Sequence, residues 1–180
     1  DGTIRDSITW DPDGAGPLQE RLVVGGTFTS IGGVPAQHVA MYDPATGQWA
    51  ALGPGIPASV LCLVVYNGQL VAGCVGDNNV GTFDETVLRW TGSAWEGMSA
   101  TNTGSVYDMT VFGGELFIGG TFMTHFVPQP GGPAHYIARW LPGSNLWDDV
   151  PEADFGSQTN TAVRALAEWP GAEAAEQSFD

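Results

Sequence analysis

Lysine is absent from this 180-residue chain, and five arginines (Arg5, Arg21, Arg89, Arg139, Arg164) face 20 acidic residues. The resulting net charge of −15 repels phosphate backbones and anionic headgroups, so the expected partners include no nucleic acid and no anionic membrane. A well-solvated acidic surface, suited to salty or calcium-containing surroundings, is the plain reading. Long apolar runs are also missing. The longest spans seven residues, 60–66, against the roughly 20 that a membrane helix needs. No signal-peptide pattern opens the sequence, and any export signal is expected to have been removed or to lie outside these residues. Two cysteines, Cys62 and Cys74, do not by themselves set the redox compartment. The three histidines (His38, His125, His135) lack the spacing of a metal site. The Asp11-Pro12-Asp13-Gly14 stretch lacks the acidic positions and closing glutamate of a calcium loop, and reads as a turn. No metal and no cofactor is expected.

What is abundant is turn chemistry and a repeat. Glycine (26) and proline (12) make about a fifth of the chain, while 43% of residues are apolar, which describes a folded, turn-rich protein. A short apolar segment recurs at 4–10, 60–66, 106–112 and 163–169, so its starts lie 56, 46 and 57 residues apart. After each of the first three comes a segment ending in small residues: LVVGG (22–26), LVAGC (70–74) and LFIGG (116–120). An aromatic-ended segment follows (39–42, 87–90, 137–140), and then a tryptophan opens a last one (Trp49, Trp95, Trp147). Periods near 50 residues mean solenoids, propellers or arrays.

Each segment reads as a strand, rich in β-branched and aromatic residues and bracketed by turn formers. Segment 162–168 favours helix by propensity, but its register matches the other first segments and predicts a strand. Four antiparallel strands per repeat describe a β-propeller blade. The expected organisation is one all-β unit over 1–180: blade one at 4–53, blade two at 59–99, blade three at 105–151, the first strand of a fourth at 161–169, and an acidic tail at 170–180, frayed or briefly helical. A two-residue turn at Asn67-Gly68 pairs Tyr66 with Gln69, Cys62 with Gly73 and Leu61 with Cys74. That register points the two thiols to opposite faces, which predicts free, buried cysteines. Three blades and one strand fall short of the roughly four to eight of a closed ring, so further blades, or further copies of the chain, are the expected partners.

The diglycine at 25–26, followed by Tyr42 and, after six residues, Trp49, resembles the kelch repeat. Gly119, Gly120, Trp140 and Trp147 keep the pattern, whereas the second unit departs from it with Cys74 and a four-residue Trp90–Trp95 spacing. Gly-Gly-Thr-Phe at 25–28 and 119–122, with Ile137-Ala138-Arg139-Trp140, also resembles secreted bacterial propellers. The resemblance covers nearly the whole chain. It implies a galactose-oxidase-like propeller fold and an extracellular or cell-envelope location, but not one function, since the superfamily spans interaction modules and a copper enzyme. That copper chemistry requires two histidines, two tyrosines and a cysteine near one of the tyrosines. Cys62 precedes Tyr66 by four residues, and the pattern goes no further.

The repeat also sorts candidate functional residues. All seven tryptophans sit at repeat positions, which assigns them to packing between blades. Arg89 and Arg139 share one position and Arg5 and Arg164 another, and these guanidinium groups are expected to bridge neighbouring blades or snorkel outward. Asp6 and Asp108 share an inner-strand position, where a carboxylate could line a channel, bind a cation or accept backbone N–H bonds; structural bonding is the preferred reading. No Ser-His-Asp or Cys-His motif links the residues present. What the repeat leaves unexplained lies in the links between second and third strands (27–37, 75–85, 121–135). There Asp77, Asn78, Asn79, Asp84, His125 and His135 are the candidate binding residues, because function on rigid scaffolds concentrates in loops. The leading expectation is a non-catalytic module that binds a protein or glycan. The alternatives are part of a secreted kelch-superfamily enzyme acting on carbohydrate, or a purely structural repeat segment of a large surface protein.

Overall fold

The computed structural model describes residues 1–76, 86–98, 104–122, 136–150 and 162–168. Strands, and no helix, occur among these residues. Blade one holds β1 (Ile4–Trp10), β2 (Arg21–Gly26), a short pair β3 (Ser30–Ile31) and β4 (Val34–Pro35), then β5 (Val39–Asp43) and β6 (Gln48–Ala51). Blade two is β7 (Val60–Tyr66), β8 (Gln69–Cys74), β9 (Val87–Trp90) and β10 (Trp95–Gly97). Blade three is β11 (Val106–Phe112), β12 (Glu115–Gly120), β13 (Ile137–Leu141) and β14 (Leu146–Asp149). The protein is therefore all-β, built of three four-stranded antiparallel sheets, each a simple meander: β1-β2-β5-β6, β7-β8-β9-β10 and β11-β12-β13-β14. No closed ring is formed by the described residues.

Turn chemistry sets the hairpins. Asn67 (φ 50) and Gly68 (φ 77) join β7 to β8, and Gly113 (φ 59) and Gly114 (φ 81) join β11 to β12. Two successive positive φ values make the primed turn whose twist matches that of the flanking strands. The predicted pairs Tyr66↔Gln69 and Cys62↔Gly73 are present, but Cys74 lies opposite Val60 rather than Leu61. The reason is a β-bulge that makes Leu61 the extra residue. The same irregularity falls between Ile4 and Asp6 in blade one and between Val106 and Asp108 in blade three. A bulge that recurs at one repeat position is a designed bend. Both cysteines are free and buried, Cys62 in the core between blades two and three and Cys74 in the core between blades one and two.

The hydrophobic core lies between sheets. Val23, Leu63, Leu70 and Trp90 share one cluster across blades one and two; Val71, Met109, Leu116 and Trp147 share another across blades two and three. The inner strand of each following unit enters this core at a glycine. Val60 fills the space that a Cβ on Gly25 would need; a Cβ on Gly73 would lie 2.8 Å from Val106, and one on Gly119 would lie 2.7 Å from Val163. This is the physical role of the first glycine in each small-residue pair.

Tryptophans tie the sheets together. Tyr42–Trp49, Trp90–Trp95 and Trp140–Trp147 form tilted ring pairs with centroids 5.3, 5.4 and 5.0 Å apart. The indole Nε1 of Trp95 donates to the Leu52 carbonyl (3.2 Å) and that of Trp147 to the Met98 carbonyl (2.7 Å), each reaching back to the preceding blade. Trp10 Nε1 reaches forward to the Gly68 carbonyl at 3.0 Å. Trp169 lies outside the described residues.

Two further expectations require correction. Segment 162–168 carries no assigned strand. Its Val163 N–H donates to the Gly120 carbonyl (3.1 Å) and its Leu166 N–H to Asp108 Oδ2 (2.6 Å). It thus takes the place of a following inner strand, but no described segment runs beside it as a sheet partner. The arginines of the third strands also pair within their own blades. Arg139 contacts Asp148 (3.0 Å) and Glu115 (3.4 Å), and Arg89 approaches Glu96 at 3.6 Å. Cross-strand carboxylates stand beside each guanidinium, so no neighbouring blade is needed. The two carboxylates hold the Arg139 pKa above its ordinary value, the Asp148 hydrogen bond most strongly. Arg164 does cross a boundary, lying over the Tyr107 ring at 4.9 Å in a cation–π contact.

Two outcomes are expected. Gly73→Val should destabilise the protein by about 1–3 kcal/mol through overpacking, and adding Val106→Ala should recover only part of that loss in urea denaturation, because a Cβ at Gly73 meets Cys62 Sγ at 2.5 Å as well as Val106 at 2.8 Å. The thiols should resist labelling in the folded protein at neutral pH and react fully in denaturant. Burial raises both thiol pKa values, that of Cys74 from 9.0 to about 12. Above pH 9 the unfolded thiols ionise first, so stability should fall as the pH rises from 9 toward about 12. Cys74→Ala should flatten that decline.

Candidate functional site

The links between second and third strands rise from a base built alike in each blade. The residue after the second strand donates its N–H to the residue before the first strand: Thr27 to Thr3, Val75 to Ser59 and Thr121 to Ser105, each at 2.9 Å. The far end of each link is closed by Gly26 N–H to the His38 carbonyl (2.9 Å), Cys74 to Thr86 (2.8 Å) and Gly120 to Tyr136 (3.1 Å). In blades one and three the Gly-Gly-Thr-Phe motif adds a side-chain tie. Thr27 Oγ1 accepts from Thr3 N–H (2.9 Å) and Thr121 Oγ1 from Ser105 N–H (3.0 Å), while Phe28 and Phe122 are buried. Val75 and Gly76 stand at these positions in blade two, and there Ser105 Oγ accepts from Gly76 N–H at 3.2 Å. The motif is therefore an anchor for the loop stem.

On this base, the blade-one link folds as the β3–β4 hairpin around Gly32 (φ 56) and Gly33 (φ 81). The Asp1 carboxylate braces it, accepting from Thr29 N–H (2.9 Å), Thr29 Oγ1 (2.5 Å) and Ser30 N–H (3.0 Å). Between the hairpin and the start of β1 is a hollow of about 310 Å³ lined by Asp1, Ile4, Phe28, Ser30, Ile31 and Gly32. The alternation of Ile31 and Val34 about a Gly-Gly pair is a hairpin signal that a reading of this stretch as a plain link passes over. His38, with φ 64, holds the end of the link to the next connector through Nδ1 and the Ile56 carbonyl, 2.7 Å apart. It is a structural tie. Among the described residues no cluster of metal-ligating side chains occurs.

Asp77, Asn78, Asn79, Asp84, His125 and His135 all lie outside the described residues. The structure does show where their links begin and end. Val75, Gly76 and Thr86 flank the first four, and Phe122 and Tyr136 flank the two histidines.

The inner-strand carboxylates are bound to backbone. Asp6 Oδ1 accepts from Ser7 N–H (2.7 Å) and Oδ2 from Leu63 N–H of the next blade (2.7 Å). Asp108 repeats this with Met109 N–H (2.9 Å) and Leu166 N–H (2.6 Å). In blade two the position is Cys62, whose Sγ lies 3.7 Å from the Val106 carbonyl. Each carboxylate thus joins one inner strand to the next, as the structural reading expected. No family model and no curated protein matches the chain.

Removing such a joint should show in stability. Asp6→Ala leaves the half-buried Leu63 N–H without its acceptor and should cost about 1–3 kcal/mol. Asp6→Asn, which keeps one carbonyl oxygen, should cost less in the same urea titration.

Proposed function

We propose that this chain is a non-catalytic propeller module of the kelch type, extracellular or at the cell envelope, that presents the face of its second-to-third-strand links to a protein or glycan. The observation that carries this reading is the shared base: all three links start and finish on the same backbone hydrogen bonds. Sequence-variable loops on a fixed base are the usual form of a recognition surface. The hollow beside the blade-one hairpin, about 310 Å³, is at the lower end of the roughly 300–1,000 Å³ range of ligand clefts. Asp77, Asn78, Asn79, Asp84, His125 and His135 are the proposed contact residues in the other two links.

Further blades, or further copies of the chain, are the proposed structural partners. Ile4 is 50% and Leu22 is 38% exposed, although their counterparts Val60, Val106, Leu70 and Leu116 are fully buried. At the other end Phe112 is 55% exposed where its counterparts Trp10 and Tyr66 are both 8%. These apolar positions are covered wherever a neighbouring blade exists.

A glycan array, a protein-capture experiment and a metal analysis on one preparation test the function. Binding without bound metal or turnover supports it. Copper, or turnover of carbohydrate, replaces it with the enzymatic alternative, and silence in every arm leaves a structural segment. Sedimentation tests the partners: self-association is expected, and a stable, well-folded lone monomer of 18.9 kDa overturns completion by copies.

A further inference from the structure

On the side of the sheets that carries the first-to-second and third-to-fourth strand turns, opposite the link face, blades two and three leave a cleft of about 130 Å³. Tyr66, Gln69, Arg89, Met98, Trp140 and Asn145 contribute to its lining. We propose that this cleft binds a small carboxylate, with Arg89 as its cationic partner.

The repeat is broken here in three ways. At the boundary between blades one and two the corresponding aromatic is Trp10, and its indole reaches across to the Gly68 carbonyl at 3.0 Å. Tyr66 holds that position at the next boundary, where it lines the cleft. Register alignment adds a second change. Met41 pairs with Val23, Arg89 with Val71 and Arg139 with Phe117, so the three residues are equivalent. A methionine packed against the core at the first boundary is thus replaced by a guanidinium at the cleft.

The third change concerns charge. Arg139 has two carboxylate partners, Glu115 and Asp148, at 3.4 and 3.0 Å. For Arg89 the counterpart of Glu115 is Gln69, a neutral amide. Its only carboxylate among the described residues is Glu96, half-exposed and 3.6 Å away, beyond a good hydrogen bond. Arg89 therefore keeps most of its five donors in a chain otherwise crowded with acids. A planar, forked donor beside a cleft matches a carboxylate, which it can bind in bidentate fashion. Gln69 and Asn145 supply neutral amides that can complete the oxygens' hydrogen bonds, and Trp140 and Met98 supply apolar walls for a carbon skeleton.

The volume sets the size of the ligand. It corresponds to about four waters at their liquid volume of roughly 30 Å³, enough for a carboxylate and a short carbon chain, or for the carboxylate edge of a sugar acid whose ring remains at the rim. Those two sources share one chemistry, and experiment distinguishes them. The site is independent of the proposed link-face function, because none of its residues belongs to a link between second and third strands.

The test is a heteronuclear NMR titration of the 180-residue chain with propionate, D-glucuronate and D-glucose, reading the Trp140 indole and Arg89 side-chain signals. Either carboxylate should shift both signals saturably and glucose should not. A response to both acids assigns free organic acids, and a response to glucuronate alone assigns a sugar acid. Arg89→Met, which installs the residue that blade one carries, should weaken binding at least about tenfold, the loss of one charge-assisted contact. Glu96→Gln should strengthen it by removing the competing acid. Tyr66→Trp should fill the cleft and abolish binding with Arg89 intact, while thermal unfolding stays cooperative. No shift with either acid, equal shifts with glucose, or unchanged affinity in folded Arg89→Met overturns the proposal.

Discussion

The close approach of one blade's inner strand to the small-residue end of the previous blade's second strand governs the rest of this structure. Val60 meets Gly25, Val106 meets Gly73 and Val163 meets Gly119. A side chain at any of these glycines would hold the sheets apart, and the apolar clusters between them would lose the contact density on which packing energy depends. Because a single antiparallel sheet cannot bury both of its faces, each blade depends on its neighbours for its core, in the manner of a repeat protein.

Once the strands are that close, polar groups must be satisfied across the boundary. The recurring bulge after Ile4, Val60 and Val106 places Asp6, Cys62 and Asp108 at the joint. Two of the three are carboxylates that accept an N–H from the next unit. Farther out, Trp95 and Trp147 donate to carbonyls of the preceding blade. Register between blades is therefore held by directional bonds at the inner and outer strands, with non-directional packing between them.

Much of this was legible as pattern. The four-strand unit, the hairpin register at Asn67-Gly68, the opposite faces of Cys62 and Cys74 and the packing role of the tryptophans all follow from local periodicity and turn chemistry, which a sequence displays directly. The bulge was not legible, because one extra residue in a strand leaves the apolar alternation on either side intact. Segment 162–168 was predicted as a strand from register alone, yet strand pairing needs a second segment alongside, which the described residues do not supply. The partners of Arg89 and Arg139 were misassigned because cross-strand neighbours such as Asp148 and Glu96 are adjacent only after pairing. The candidate binding residues in the second and third links are what the repeat leaves over, and the structure describes only the stems on which they stand.

By itself the sequence determined the all-β class, the number of repeats and the small-residue positions, since these depend on the identity and spacing of residues along one chain. Tertiary structure alone decided which glycine receives which valine, that Asp6 and Asp108 are joints between strands, and that Tyr66, Arg89 and Trp140 surround one cleft. Those facts depend on distances between units some 50 residues apart, which exist only when the sheets are stacked. The absence of lysine takes on a local meaning there. Arg21 and Arg139 stand against carboxylates at hydrogen-bond distance, whereas Arg89 has, among the described residues, Glu96 alone, at 3.6 Å, and lines a cleft.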